Sequence, residues 1–180
     1  MSSAVSLPGF NAPAVGFEQP FEMLQACHER VQRSLGLLER LVEHVDANGH
    51  DASSRSAASD VLRYFDIAAP HHHEDEEQHV FPVVAAGGDA RMRETVAQLQ
   101  ADHVRMSAVW GQLRLVLLTW RDADPAPPVS NSDRALVRDF MRCYADHIPL
   151  EETLVYPAAI SVLDADRLVS MGTEMASRRR

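Results

Sequence analysis

Four histidines and two glutamates recur in this chain at one spacing. When the sequence is set against itself at an offset of 75 residues, His28 falls on His103, His72 on His147 and Glu76 on Glu151. Within each half, the glutamate stands four residues after its histidine. Four residues of α-helix turn through about 400°, so His72 and Glu76, like His147 and Glu151, stack on one side roughly 6 Å apart along the axis. Imidazole and carboxylate side chains placed this way are the donors of a metal site. Six of them exceed what one closed tetrahedral zinc takes. Two metals, each with two histidines and both sharing two bridging glutamates, use all six. That arrangement leaves room for a bridging oxide or hydroxide and for an exogenous ligand. Such an open, octahedral-like set suits two iron ions, or manganese, and accepts zinc as a substitute.

The elements that must position these residues are helices. Leu24, His28, Val31, Leu35, Leu38, Val42 and Val45 follow alternating steps of four and three, the seam of a helix packed lengthwise over about residues 21–46. A second helix is expected over about 55–85, with Pro70 as a kink or local distortion and Gly87 and Gly88 at its end. The third runs over about 90–121, with Val96, Leu99, His103, Met106, Trp110, Leu113 and Leu117 as its seam. The fourth covers about 132–162 and is interrupted by Pro149. The apolar seam obeys the same offset: Leu24 meets Leu99, Val61 meets Leu136 and Phe65 meets Phe140. Strand-like alternation is absent, so the class is all-α: a four-helix bundle whose two halves are related by a pseudo-twofold. Residues 1–20, with three prolines and two glycines, read as an irregular arm. The bundle occupies 21–162, and 163–180 form a short helix over about 165–175 and a basic tail whose Arg178, Arg179 and Arg180 are expected to fray.

On this reading, His28, His72, His103 and His147 face the core together with Glu76 and Glu151. Two buried carboxylates without partners would cost several kcal/mol, a cost that cations remove. His72 is chosen from the run His71-His72-His73 by the repeat and by the face it shares with Val61, Phe65 and Ala68; its neighbours are expected in solvent or beside the site. His79 lies on the same broad face as Glu76, but its repeat partner is Leu154, so it is expected beside the ligands or at the surface. Cys143, one turn before His147, either approaches the site or fills the core. Trp110, Trp120, Tyr144 and Tyr156 could tune the site or carry radicals but are assigned first to packing, and the acidic run Glu74–Glu77 is assigned in part to a solvated face, with only Glu76 singled out.

Bulk properties narrow the function classes. The 180 residues suit one domain, and the 46% hydrophobic and 24% charged fractions are those of an ordinary globular chain. A formal net charge of −9 argues against nucleic-acid binding. No apolar run is long enough to span a bilayer, no Sec-type signal opens the chain, and the two cysteines form no disulfide framework. Together these point to a reducing, cytoplasmic home. A homo-oligomer is compatible with the Pro-rich arm and the acidic surface, although no interface can be named.

The pattern H…HxxxE…H…HxxxE, with Phe81-Pro82 and Tyr156-Pro157 after the two HxxxE motifs, resembles the hemerythrin-like HHE cation-binding domains over roughly residues 20–160. The resemblance implies an up-down-up-down bundle and a carboxylate-bridged di-iron site. Two features differ from the oxygen-carrying hemerythrins. Ser107 stands where those proteins have a fifth histidine, and Glu151 follows His147 by four residues where they have an aspartate at five. Both argue against simple reversible oxygen carriage. The four-His, two-Glu set is more similar to iron-centre repair proteins and to bacterial hemerythrin-like proteins linked to nitric oxide or peroxide. The leading expectation is a non-haem di-iron protein that binds or reacts with a small oxidant (oxygen, nitric oxide or peroxide), with catalase-like or peroxidase-like turnover fitting as well as sensing. Iron storage, delivery or iron-centre repair is one alternative; a metal-dependent sensor or interaction module is another.

Overall fold

A computed structural model describes residues 15–179. Helix α1 spans Pro20–Asn48, starting with a proline at its first position, where the missing N–H costs nothing. It stops at Gly49, whose φ of 76° an L side chain rarely adopts. Asp51 and Ser54 form a reciprocal cap that opens α2, which runs through residues 52–87. Asp89 accepts from Met92 N–H and opens α3, Ala90–Asp122. A second reciprocal cap, Ser130 with Asp133, opens α4 over residues 131–160. Asp164 caps α5, Ala165–Ser177. The described residues contain helices and no strand. Of the expected arm, residues 1–14 lie outside the described residues, and 15–19 carry no helix.

Two apolar clusters fill the bundle. One joins Leu41 and Val45 late in α1, Ala58 and Val61 early in α2, Leu113, Leu117 and Trp120 late in α3, and Val137 and Phe140 early in α4. The other joins Phe21 and Leu24, Val80 and Val84, Val96 and Leu99, and Val155 and Ala159, with Met171 and Met175 of α5 closing that end. The polar cluster described below comes from residues between these two layers in each helix. At about 25 cal/mol per Å² of buried apolar surface, the two layers supply the main drive for bringing the four helices together.

The second and fourth helices are not regular. In three places the chain widens into a π turn, with N–H bonded five residues back: Ala69 to Tyr64, Phe81 to Glu76 and Tyr156 to Glu151. Each turn is followed at once by a proline (Pro70, Pro82, Pro157), which lacks the N–H that would continue an α ladder. The distortion expected at Pro70 therefore takes the form of a π turn. Pro149 leaves the Ala145 carbonyl without its usual partner, and α4 breaks at Asp146 before resuming at His147. The two halves thus share an irregularity as well as a sequence: a π turn starts at each motif glutamate.

The tail departs from expectation at Arg178 and Arg179, while Arg180 lies outside the described residues. Instead of fraying, Arg178 reaches Asp75 Oδ1 at 2.6 Å and Arg179 pairs with Asp75 Oδ2. Asp75 is fully buried, and these guanidinium groups neutralise it. Gly172 lets α5 lie against the arm, because a Cβ there would stand 1.8 Å from the Phe17 carbonyl oxygen.

Candidate metal centre

The six residues singled out by the repeat converge. His28, His72, Glu76, His103, His147 and Glu151 are each buried, at 4% exposure or less. They form two overlapping groups of four: His28, His72, Glu76 and Glu151, and His103, His147, Glu76 and Glu151. Each carboxylate directs one oxygen to each group. Glu76 Oε1 lies 3.4 Å from His72 Nε2, while its Oε2 lies 3.5 Å from His103 Nε2. Glu151 Oε2 lies 3.2 Å from His28 Nε2, while its Oε1 lies 3.1 Å from His147 Nε2. The imidazoles of one group face each other closely, with His103 Nε2 3.1 Å from His147 Nε2.

The donor set fits cations. Glu76 Oε2 and both oxygens of Glu151 are buried and accept no hydrogen bond, and His72 Nδ1 is likewise unpaired. Leaving such atoms unsatisfied costs about 1–3 kcal/mol each, more when they are charged, and a cation placed among them would satisfy the inward-facing oxygens.

The proton affinities tell the same story. Burial, helped by neighbouring His28, pushes His72 well below the usual histidine range. Burial, with His73 and His147 nearby, takes His103 down to about 2. Both are therefore neutral imidazoles, the form that donates to a metal. Burial, and then the charge of Glu151, pushes Glu76 well above the carboxylate range. Glu151 goes the other way: burial opposes its ionisation, but His147 and His28 beside it outweigh that and hold it low. His147 is correspondingly raised, because Glu151 and Asp102 outweigh its burial. Glu76 and His147 thus bind a proton more readily than usual and Glu151 less readily, as expected where buried carboxylates lack cations.

A second layer holds the imidazoles in place. His28 Nδ1 hydrogen-bonds Glu152 Oε1 at 2.9 Å, and His103 Nδ1 bonds Glu77 Oε1 at 3.0 Å. Glu77 and Glu152 are themselves related by the repeat offset. Each carboxylate follows the motif glutamate of one half and braces a histidine of the other. His147 Nδ1 lies 3.5 Å from Asp102 Oδ2. These contacts orient the rings so that Nε2 points inward. The acidic run that reads as a solvated face therefore contains a buttress, and only the repeat offset linking Glu77 to Glu152 signals it.

Tyr156 also departs from its expected packing role. In an α-helix a residue five after Glu151 would point about 140° away. The π turn returns it to the same side, and its hydroxyl donates to Glu76 Oε1 and lies 3.2 Å from His28 Nε2. Burial, then the charges of Glu76 and Glu151, push this phenol well up, so it keeps its proton. Its repeat partner, Phe81, stacks on His103 with ring centroids 5.5 Å apart. His73 also stacks on His103, with ring centroids 4.0 Å apart. His79 is not brought to the cluster; it pairs with Glu174 of α5 at 2.6 Å. Cys143 is buried in the core, with its thiol donating to the Asp139 carbonyl at 3.3 Å, and it borders a cavity of 290 Å³ that it shares with Asp102 and His147.

Residues 19–159 match the Hemerythrin HHE cation binding domain. The chain belongs to this family. It is also 30% identical over 164 residues to an uncharacterized protein of Haemophilus influenzae, an alignment covering 91% of this chain and 92% of the relative. Membership in the HHE family identifies the buried His/Glu clusters as candidate holders of metal cations in a helical domain. Among the described residues, no helix is long and apolar enough to cross a membrane.

Proposed function

We propose that this HHE-family chain is a non-haem di-iron protein that binds or reacts with a small oxidant: oxygen, nitric oxide or peroxide. The observation that supports it is the placement of Glu76 and Glu151, each with one oxygen toward His28 and His72 and the other toward His103 and His147. In this reading His28 and His72 hold one ion, His103 and His147 hold the other, and the two glutamates bridge. Four nitrogen and oxygen donors per ion, which would close a tetrahedral zinc, leave positions free on a six-coordinate ion such as iron, and the absence of thiolate suits iron. Iron bound there would supply the redox chemistry and exchangeable positions that an oxidant needs.

The protein's own contribution is preorganisation. Glu77 and Glu152 fix the Nδ1 protons of His103 and His28, so the opposite nitrogens present lone pairs inward. Tyr156 Oη holds a proton inside the cluster on the His28 side, where it can hydrogen-bond an incoming oxidant. Val80, Leu99 and Val155, each without measurable exposure, are part of the dry layer on one side. A cytoplasmic location belongs to the same proposal; the two buried, free cysteines fit a reducing compartment.

The test is iron content and visible absorption of anaerobically purified protein, before and after oxygen, nitric oxide or peroxide, beside the His72→Ala/His147→Ala double variant. Close to two irons per chain and a spectral response that the variant lacks is the expected result. One iron or none after reconstitution, or two irons indifferent to all three oxidants, overturns the reading.

A further inference from the structure

A half-open cavity of 610 Å³ lies between α2, α3 and α4, beside the six ligand candidates, of which only His103 lines it. A molecule of two or three atoms needs a small fraction of that, since a water in the liquid takes about 30 Å³. The volume is that of a site for an organic molecule, for which roughly 300–1,000 Å³ is usual.

Its walls state what kind of molecule fits. One side is apolar and aromatic: Phe65, Met106, Trp110, Phe140 and Tyr144. These rings are fixed by one another, with Phe65 5.1 Å from Trp110 and 4.9 Å from Phe140. The Trp110 indole N–H is further tied to Asp66 at 3.0 Å. A rigid aromatic wall can bind an apolar body without first being ordered. Glu74 and Glu77 also line it; Glu74 pairs with Arg178 Nη1 at 3.4 Å, Glu77 with His103 Nδ1 at 3.0 Å, and no arginine lines the cavity itself. Two carboxylates against one neighbouring guanidinium disfavour an organic anion and leave a neutral molecule unpenalised. Ser107, one turn after His103, lines the space with a side chain too small to fill it.

From these observations we infer that this cavity is a binding site for a neutral, predominantly apolar organic molecule, seated against the His103–Glu77 pair. The occupant would touch a ligand candidate and its brace without occupying the metal positions. An alcohol or an alkyl hydroperoxide has the required chemistry; a fatty acid anion does not. The cavity stands without the di-iron reading, and only the link between its occupant and the metals rests on that reading.

Octanol and octanoate share a chain and differ in charge, and neither absorbs where tryptophan does. Each is titrated into the full-length protein, as purified and after chelation, with tryptophan fluorescence and calorimetry as readouts and iron content measured on the same samples. Trp110 lies in the cavity wall, so octanol is expected to give a saturable change in both samples, with octanoate at least about tenfold weaker. Ser107→Phe, at an exposed helix position, fills the space and is expected to weaken octanol by about tenfold or more with circular dichroism unchanged. Absence of saturation overturns the inference. So does equal binding of the two probes, which would mark indifferent apolar adsorption, and so does unchanged binding to Ser107→Phe. Because the chelated sample reads the cavity alone, failure here leaves the iron measurement standing, and failure to load iron leaves this titration interpretable.

Discussion

Crossed bracing makes a prediction that a merely acidic surface would not. Glu152 supports His28 and Glu77 supports His103, so each carboxylate should matter to one ion and be indifferent to the other. Removing such a partner of a metal-bound histidine typically weakens binding by 10–100-fold. Here the two carboxylates are 37% and 41% exposed, so water screens them and can replace part of the contact. The lower end is therefore expected: about tenfold, or ~1.4 kcal/mol, for Glu152→Ala or Glu77→Ala. Glutamine keeps the acceptor and loses the charge, so Glu152→Gln and Glu77→Gln should fall between alanine and the natural residue. Site assignment comes from combining each with His72→Ala, which disables the His28/His72 side. In that background Glu77→Ala should still weaken the remaining ion about tenfold, and Glu152→Ala should do nothing to it. Anaerobic competition between the protein and a chromophoric chelator for ferrous iron reads both constants. Equal losses from the two alanine variants in the His72→Ala background would refute crossed bracing.

Other outcomes follow from the geometry. Cation uptake should displace protons from Glu76 and His147, both raised above their ordinary 4.5 and 6.5, and an indicator dye in weak buffer should report more release at about pH 6 than at about pH 8. Because both folded-state affinities are raised, their contribution to stability is present below the unfolded values and lost as pH rises through the folded ones. His72 and His103, lowered by burial, act in the opposite sense, so the contribution of Glu76 is read against Glu76→Gln: from about pH 6 to about pH 8 the chelated natural chain should lose melting temperature relative to the chelated variant, and the reverse would count against a raised Glu76. Deleting the chain after Ser177 strands buried Asp75; since its two arginines are only 14% and 20% exposed, a loss of about 2–4 kcal/mol is expected in urea unfolding, largely recovered by Asp75→Asn. Leu38→Ala, at a position with no exposure in the apolar layer away from the site, should cost about 2–5 kcal/mol in the same assay and leave iron stoichiometry at its natural value.

The sequence carries the helical class and the convergence of six residues because both rest on period. Seam spacing predicts a helix over 21–46 where Pro20–Asn48 is found, and the 75-residue offset pairs the residues that meet in space. What escapes is whatever breaks the period. The π turns at Glu76 and Glu151 shift the following residues by about a quarter turn, so Tyr156 reaches the cluster from a position that α geometry assigns elsewhere. Charge hid Glu77 and Glu152, since a glutamate bracing a histidine and one facing water have the same hydropathy. Arg178 and Arg179 resembled a frayed end because their partner, Asp75, is distant in sequence and sits in an acidic run. His73, expected in solvent or beside the site, takes the second of these places by stacking on His103.

The sharing of Glu76 and Glu151 between the two histidine pairs makes the halves of the chain depend on each other. One half alone supplies two histidines and one shared carboxylate, and its buttressing glutamate braces a histidine it does not possess. Two identical hairpins facing each other as a symmetric dimer would contain the full set. Held in one chain, the two halves keep that dependence yet are free to differ where symmetry would force identity. Tyr156 opposite Phe81, and His73 opposite Ile148, are such differences, and they give the two sides of one centre unlike surroundings. Severed between Gly88 and Asp89, the chain becomes two unlike hairpins, and neither can assemble the six-residue set until it finds the other.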